Sequence, residues 1–68
     1  MFLYEKFQKI CEERNTTPYQ VSVATGVATS TLTMWKQGKY TPKIDKIQKI
    51  ADHFGVPISY FLEGEQNE

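Results

Sequence analysis

Helix stops and helix starts recur at short intervals along this chain and confine it to a set of short helices. Asn15 suits a left-handed stop. Thr17-Pro18 follows as a start: threonine caps free amides, and proline at the first helical position forfeits no hydrogen bond. Proline also keeps Thr17 out of helical geometry, which fixes the boundary. Gly26 supplies the positive φ of a tight turn, and Gly38 marks another end. Thr41-Pro42 repeats the start signal, and Gly55 and Pro57 give a last stop and start.

Between these marks the apolar residues fall at helical spacing. A first helix is expected over about residues 2–14, with Leu3, Phe7 and Ile10 on one face and Cys11 beside Ile10. Glu5 in its first turn and Arg14 in its last suit the helix dipole. Val21, Ala24 and Thr25 turn inward on a second helix, and Leu32 and Trp35 on a third from about Thr29 to Gln37. A fourth runs from Thr41-Pro42 to about Phe54, with Ile44, Ile47, Ile50, Ala51 and Phe54 as its stripe. A short fifth after Pro57 holds Ile58, Phe61 and Leu62. No strand pattern and no internal repeat is present. The expected fold is all-α, a compact five-helix domain over residues 1–64, with residues 65–68 a polar tail or the start of a linker.

Length and composition exclude several classes of function. Sixty-eight residues make one small domain. Such a chain hides only about 60% of the surface its unfolded form exposes. It has little room for a substrate pocket of ~300 Å³ or more. One cysteine allows no internal disulfide, and with one histidine it cannot make a structural zinc site. No apolar run is long enough to span a membrane. The N-terminus meets Glu5 before any basic cluster, unlike a signal peptide, so a cytoplasmic location is the default. No nucleophile–base pair, paired carboxylates or phosphate-cradling glycine loop stands out. An enzyme is therefore not expected, nor a cofactor, a metal or a small-molecule substrate. Cys11 and Trp35 read as core, and His53 as a surface residue near a helix end.

Equal numbers of acidic and basic side chains argue at first against a nucleic-acid partner. Their order argues otherwise. Residues 15–35 carry no charge. Residues 36–49 carry Lys36, Lys39, Lys43, Lys46 and Lys49 against Asp45 alone. From residue 50 onward the only charged side chains are Asp52, Glu63, Glu65 and Glu68. A basic stretch followed by an acidic end suggests a face for an anion. A set of lysines on a solvated helix is the plainer alternative.

The stretch from Thr17 to Gly38 is the most informative. Two short helices that cross closely at a glycine turn need a small residue at the crossing, met by Ser22, and Gly26 at the turn. Val21, Thr25, Val27, Leu32 and Trp35 fill the inner side, which leaves Thr29, Ser30, Thr33 and Met34 outside. This is the helix-turn-helix layout, whose second helix enters the DNA major groove. The chain here resembles the Cro and lambda-repressor-like (XRE-type) family over about residues 3–64. The resemblance rests on Thr17-Pro-Tyr-Gln-Val-Ser, on the run Thr25-Gly-Val-Ala-Thr-Ser-Thr-Leu-Thr-Met-Trp-Lys-Gln-Gly-Lys39, on Thr41-Pro42, on Ile47-Gln-Lys-Ile-Ala51 and on Phe54-Gly-Val-Pro-Ile-Ser-Tyr-Phe-Leu-Glu-Gly64. It implies a five-helix fold, sequence-specific binding of duplex DNA and, usually, a homodimer on a two-fold operator. Many members are phage or prophage repressors, and others are antitoxins.

The chain departs from the family pattern in places. Pro18 stands where the family often has a glutamine that reaches a phosphate. Ser22 replaces a frequent alanine, and Thr25 a larger aliphatic residue. Many members join the first and third helices by an Arg–Glu ion pair; the matching positions here are Cys11 and Lys36. Loss of both partners together leaves no charge buried alone.

Roles can then be assigned. Thr29, Ser30 and Thr33 can hydrogen-bond base edges, and their methyl groups, with Met34, can touch thymine methyls; a merely solvated polar face is the alternative. With no Arg, Gln or Asn in this set, more of the specificity falls to DNA shape or water. Lys36, Gln37, Lys39, Tyr40 and Lys43 are placed to touch phosphates, as are the free amides at the helix starts Thr17 and Thr41. Gln20 is the nearby amide able to reach a base or phosphate. Ile58, Tyr60 and Phe61 either build a dimer contact or finish the core. The competing function is a protein-interaction module or antitoxin component, with an antirepressor or toxin as partner; the lysine cluster would then have no special purpose.

Overall fold

The computed structural model describes residues 2–62. The expected tail at 65–68, and Glu63 and Gly64 before it, lie outside the described residues. Helix α1 spans Tyr4–Glu13 and buries Phe7, Ile10 and Cys11, one face at i, i+3 and i+4. It starts later than its apolar spacing suggests because Phe2 and Leu3 are taken by another partner. The Leu3 N–H donates to the Phe61 carbonyl at 2.8 Å, and Phe2 bridges Leu62 antiparallel. The end of α1 is as the sequence predicts: Asn15 has φ +57°. The N–H groups of Asn15 and Thr16 return to the carbonyls of Glu12 (3.2 Å) and Cys11 (2.9 Å) and close the orphan acceptors of the last turn.

Helix α2 spans Pro18–Thr25. Thr17 caps it through a reciprocal pair: Thr17 Oγ1 accepts from the Gln20 N–H, and Gln20 Oε1 accepts from the Thr17 N–H, each at 3.2 Å. The helix buries only Val21. Ala24, expected inward, is exposed, and so is Val23; Thr25 is half-buried. Helix α3, Thr29–Lys36, buries Leu32 and Trp35. Gly38, at φ +76°, ends it, with Gly38 and Lys39 N–H on the carbonyls of Trp35 (3.1 Å) and Met34 (2.9 Å).

Helix α4 spans Ile44–Phe54 and buries Ile47, Ile50, Ala51 and Phe54. Two expectations fail at its start. Thr41-Pro42 is not the cap; the chain stays extended through Lys43, the N-cap residue, and no side chain caps the helix. Ile44 is 65% exposed and lies outside the stripe, while Pro42 in the extended lead-in is buried. The fifth element is also shorter than expected. Ile58–Phe61 forms one 3-10 turn, so the described residues make four α-helices and that turn, not five helices. The turn cannot lengthen because Leu62 leaves it in extended geometry to meet Phe2.

Phe61 is fully buried in this core, which withdraws it from any dimer surface; Ile58 and Tyr60 are half-buried. Tyr4, Phe7 and Trp35 form an aromatic cluster with centroids 5.4–5.5 Å apart. The buried Trp35 satisfies its indole N–H on the Phe2 carbonyl at 3.2 Å. Arg14 reaches across the chain: its guanidinium donates to the Phe54 carbonyl at 3.1 Å and lies 5.9 Å from the Phe54 ring centroid. A cation thus satisfies a last-turn carbonyl of α4, where the helix dipole favours it.

Cys11 is 3% exposed. Burial, with a smaller push from neighbouring Glu12, raises its thiol to about 11. Because the folded value lies above the ordinary 9.0, the unfolded thiol ionises first. Its contribution to stability is complete below pH ~9 and falls as pH rises toward 11. In native protein at neutral pH, Cys11 should react with a thiol reagent far more slowly than in urea-unfolded protein; equal rates would refute its burial.

Candidate nucleic-acid interface

Three residues, Gly26, Val27 and Ala28, separate α2 from α3. Gly26 takes φ +83°, which a side chain adopts only with strain, and its N–H closes on the Ser22 carbonyl at 2.8 Å. Val27 then plugs into the core at 1% exposure. Two hydroxyls secure this turn. Ser22 Oγ donates to the Val27 carbonyl at 2.6 Å. Thr25 Oγ1 donates to the Val21 carbonyl at 2.7 Å and accepts from the Val27 N–H at 3.2 Å. Thr25 is therefore more than a stand-in for an aliphatic side chain, since valine could make neither bond.

The turn holds α3 with Leu32 and Trp35 inward and Thr29, Ser30, Thr33 and Met34 outward. At 3.6 residues per turn the outer face divides into two rows: Thr29, Thr33 and Lys36 on one edge, Ser30, Met34 and Gln37 on the other. Met34 is 38% exposed. Ala28, the N-cap residue, offers no side-chain cap, so the Thr29 and Ser30 amides at the start of α3 have no intrahelical partner.

Lys36, Gln37, Lys39, Tyr40 and Lys43 are all exposed along the end of α3 and the segment leading to α4. Thr41 is half-buried. Lys49 is exposed and Lys46 partly covered. The start of α2 offers less than expected, because the Thr17 amide is already spent on Gln20. Gln20 Oε1 accepts from both that amide and Thr16 Oγ1 (2.8 Å), which leaves only its NH₂ end to reach outward.

One groove of about 250 Å³ lies beside the α3 surface. Tyr4 of α1, Pro18 and Tyr19 of α2, and Thr29, Leu32, Thr33 and Lys36 of α3 line it. Burial raises the Tyr4 phenol above its usual pKa, with the Cys11 thiol a smaller cause, so it stays a neutral hydroxyl at physiological pH. Sequence reasoning missed Tyr4 and Tyr19 here; the signal was Tyr19, an aromatic at an outward position beside the capping proline. Among the described residues no cluster of His, Cys, Asp or Glu could hold a metal, and no helix is long and apolar enough to cross a membrane.

The paired helices, the glycine turn and the hydroxyl-bearing outward face define a helix-turn-helix unit. A helix-turn-helix family model matches residues 7–61, and the chain belongs to this XRE-type, Cro and lambda-repressor-like family of DNA-binding transcription regulators. No curated protein and no solved structure matches the chain significantly.

The hydroxyl bonds make the turn testable. Thr25→Val keeps the shape but deprives the Val27 N–H of its acceptor. The expected loss is about 1–3 kcal/mol of unfolding free energy, read from the urea midpoint with the helical circular dichroism unchanged. Ser22→Ala should cost about 1 kcal/mol by the same measure.

Proposed function

We propose that this chain is a Cro- or repressor-like regulator of phage or prophage type that works in the cytoplasm. It binds a palindromic operator as a homodimer, with α3 of each subunit in the major groove. The observation that carries this reading is the layout of α3: an uncharged, hydroxyl-bearing face meets a lysine-rich edge within one turn of chain. Thr29, Ser30, Thr33 and Met34 read base edges and thymine methyls. Lys36, Gln37, Lys39, Tyr40 and Lys43 touch phosphates, with the Gln20 NH₂ group, and set the register without reading sequence. Ile58 and Tyr60 remain as the dimer contact. The role is binding without catalysis, on half-sites about one helical turn apart.

A second reading, a protein-interaction or antitoxin role, draws on Tyr19 and Val23, each 68% exposed and four residues apart on α2. That spacing puts two large apolar side chains on one outward face. Such a role can coexist with DNA binding.

Selection from random duplexes at stated salt tests the main reading. An enriched palindrome is the expected product, and no enrichment refutes sequence-specific binding. With about four phosphates neutralised per subunit, the dimer's log–log salt slope should be about −7. Thr29→Ala, Ser30→Ala and Thr33→Ala should erode preference between sequences. Lys39→Ala should weaken binding to all sequences and flatten the slope. A Lys39→Ala protein altered in preference alone would contradict this division of roles.

A further inference from the structure

The acidic end of the chain has no part in the DNA-binding reading, and the fold fixes where it begins. Leu62, the last described residue, is in extended geometry and pairs antiparallel with Phe2. The Phe2 carbonyl accepts from the Trp35 indole at 3.2 Å, and Lys36 is the next residue of α3. Lys39 belongs to the same end of that helix, because the turn at Gly38 returns its N–H to the Met34 carbonyl at 2.9 Å. The segment Glu63-Gly64-Glu65-Gln66-Asn67-Glu68 thus starts one tryptophan side chain away from the end of α3 that carries both lysines. Three extended residues span about 10 Å and six about 20 Å, before the reach of a lysine side chain is added.

Lys36 and Lys39 are the cations this segment fits. Both are exposed, and neither has a carboxylate within five residues along the chain. Among the described residues neither has an ion-pair partner. The cations nearer the N-terminus are engaged. Lys6 stands 5.9 Å from the Tyr60 ring centroid, and Arg14 is held on the Phe54 carbonyl. Lys9 has Glu5 and Glu13 four residues to either side on its own helix face. A single exposed ion pair is weak. Two on a short tether meet at an effective concentration on the order of millimolar, so neither contact has to be strong.

We propose that in the DNA-free protein Glu65 and Glu68 lie against Lys36 and Lys39 and occupy them as phosphates would. The acidic segment is then a tethered competitor that duplex DNA must displace. The inhibitory half of this inference rests on the DNA-binding reading above, and the docking half does not.

Two measurements on the full chain test the halves separately. In the first, DNA-free protein is treated with a carbodiimide, which joins touching carboxylates and lysines directly, and the linked peptides are identified by mass spectrometry. A mixture of heavy- and light-isotope chains separates links within one chain from links between chains. Links within a chain from Glu65 or Glu68 to Lys36 or Lys39 are expected at low salt, and they should fade as salt is raised. Links to Lys6 or Lys9 alone, links only between chains, or no salt-sensitive link overturn the docking. In the second, a duplex recovered by random-site selection is titrated by fluorescence anisotropy with native protein and with the double variant Glu65→Gln, Glu68→Gln. The variant should bind about threefold to tenfold more tightly at low salt, with the gain vanishing at high salt. Tighter binding by the variant without the expected links is long-range repulsion and overturns the docking. The expected links with equal affinity of the two proteins overturn the inhibitory role. Failure of every duplex to bind overturns the DNA-binding reading and the inhibitory role with it, while the links decide the docking.

Discussion

The direction in which α3 presents its outer face depends on hydroxyl hydrogen bonds across a three-residue turn. Neither helix of the pair can hold itself in place. Each has eight residues, too few to be stable alone in water. Helix α2 buries one side chain and α3 two. Ser22 and Thr25 supply what that limited packing cannot, by fixing both the carbonyl and the amide of Val27. Val27 is itself a plug in the core, so the same residue anchors the turn through its backbone and its side chain.

Around this pair the fold closes by joining distant parts of the chain. The Leu3 amide meets the Phe61 carbonyl, the Trp35 indole meets the Phe2 carbonyl, and the Arg14 guanidinium meets the end of α4. Each bond links segments more than thirty residues apart, as 68 residues with no disulfide require. The carbonyl beneath Trp35 belongs to the residue that pairs with Leu62. The inner face of α3 is thereby tied to the closure of both ends of the domain.

What could be read in the sequence was what is local. The Thr17-Pro18 start and the Asn15 stop were legible because their bonds lie within a few residues. Thr41-Pro42 looked identical and was not a cap. The difference lies three residues on, where Thr17 has Gln20 to return the bond and Thr41 has Ile44. The partner of Phe2 is Leu62 at the far end of the domain, and the partner of Arg14 is forty residues away, so neither had a local signal. At the candidate site the outward faces of Thr29, Ser30, Thr33 and Met34 followed from periodicity. The Thr25 hydroxyl and the groove under Tyr19 did not, since both depend on how the two helices cross.

The absence of charge from residues 15–35 has a consequence for regulation. Screening by salt acts on lysine–phosphate attraction and leaves contacts between neutral groups nearly untouched. Under the proposed division of roles, with lysines on phosphates and neutral side chains on the bases, ionic strength would move affinity for every duplex by a similar factor. The ranking of sequences stays where it was. Such a domain separates how much DNA it occupies from which DNA it prefers, and the first can change with cellular conditions while the second holds.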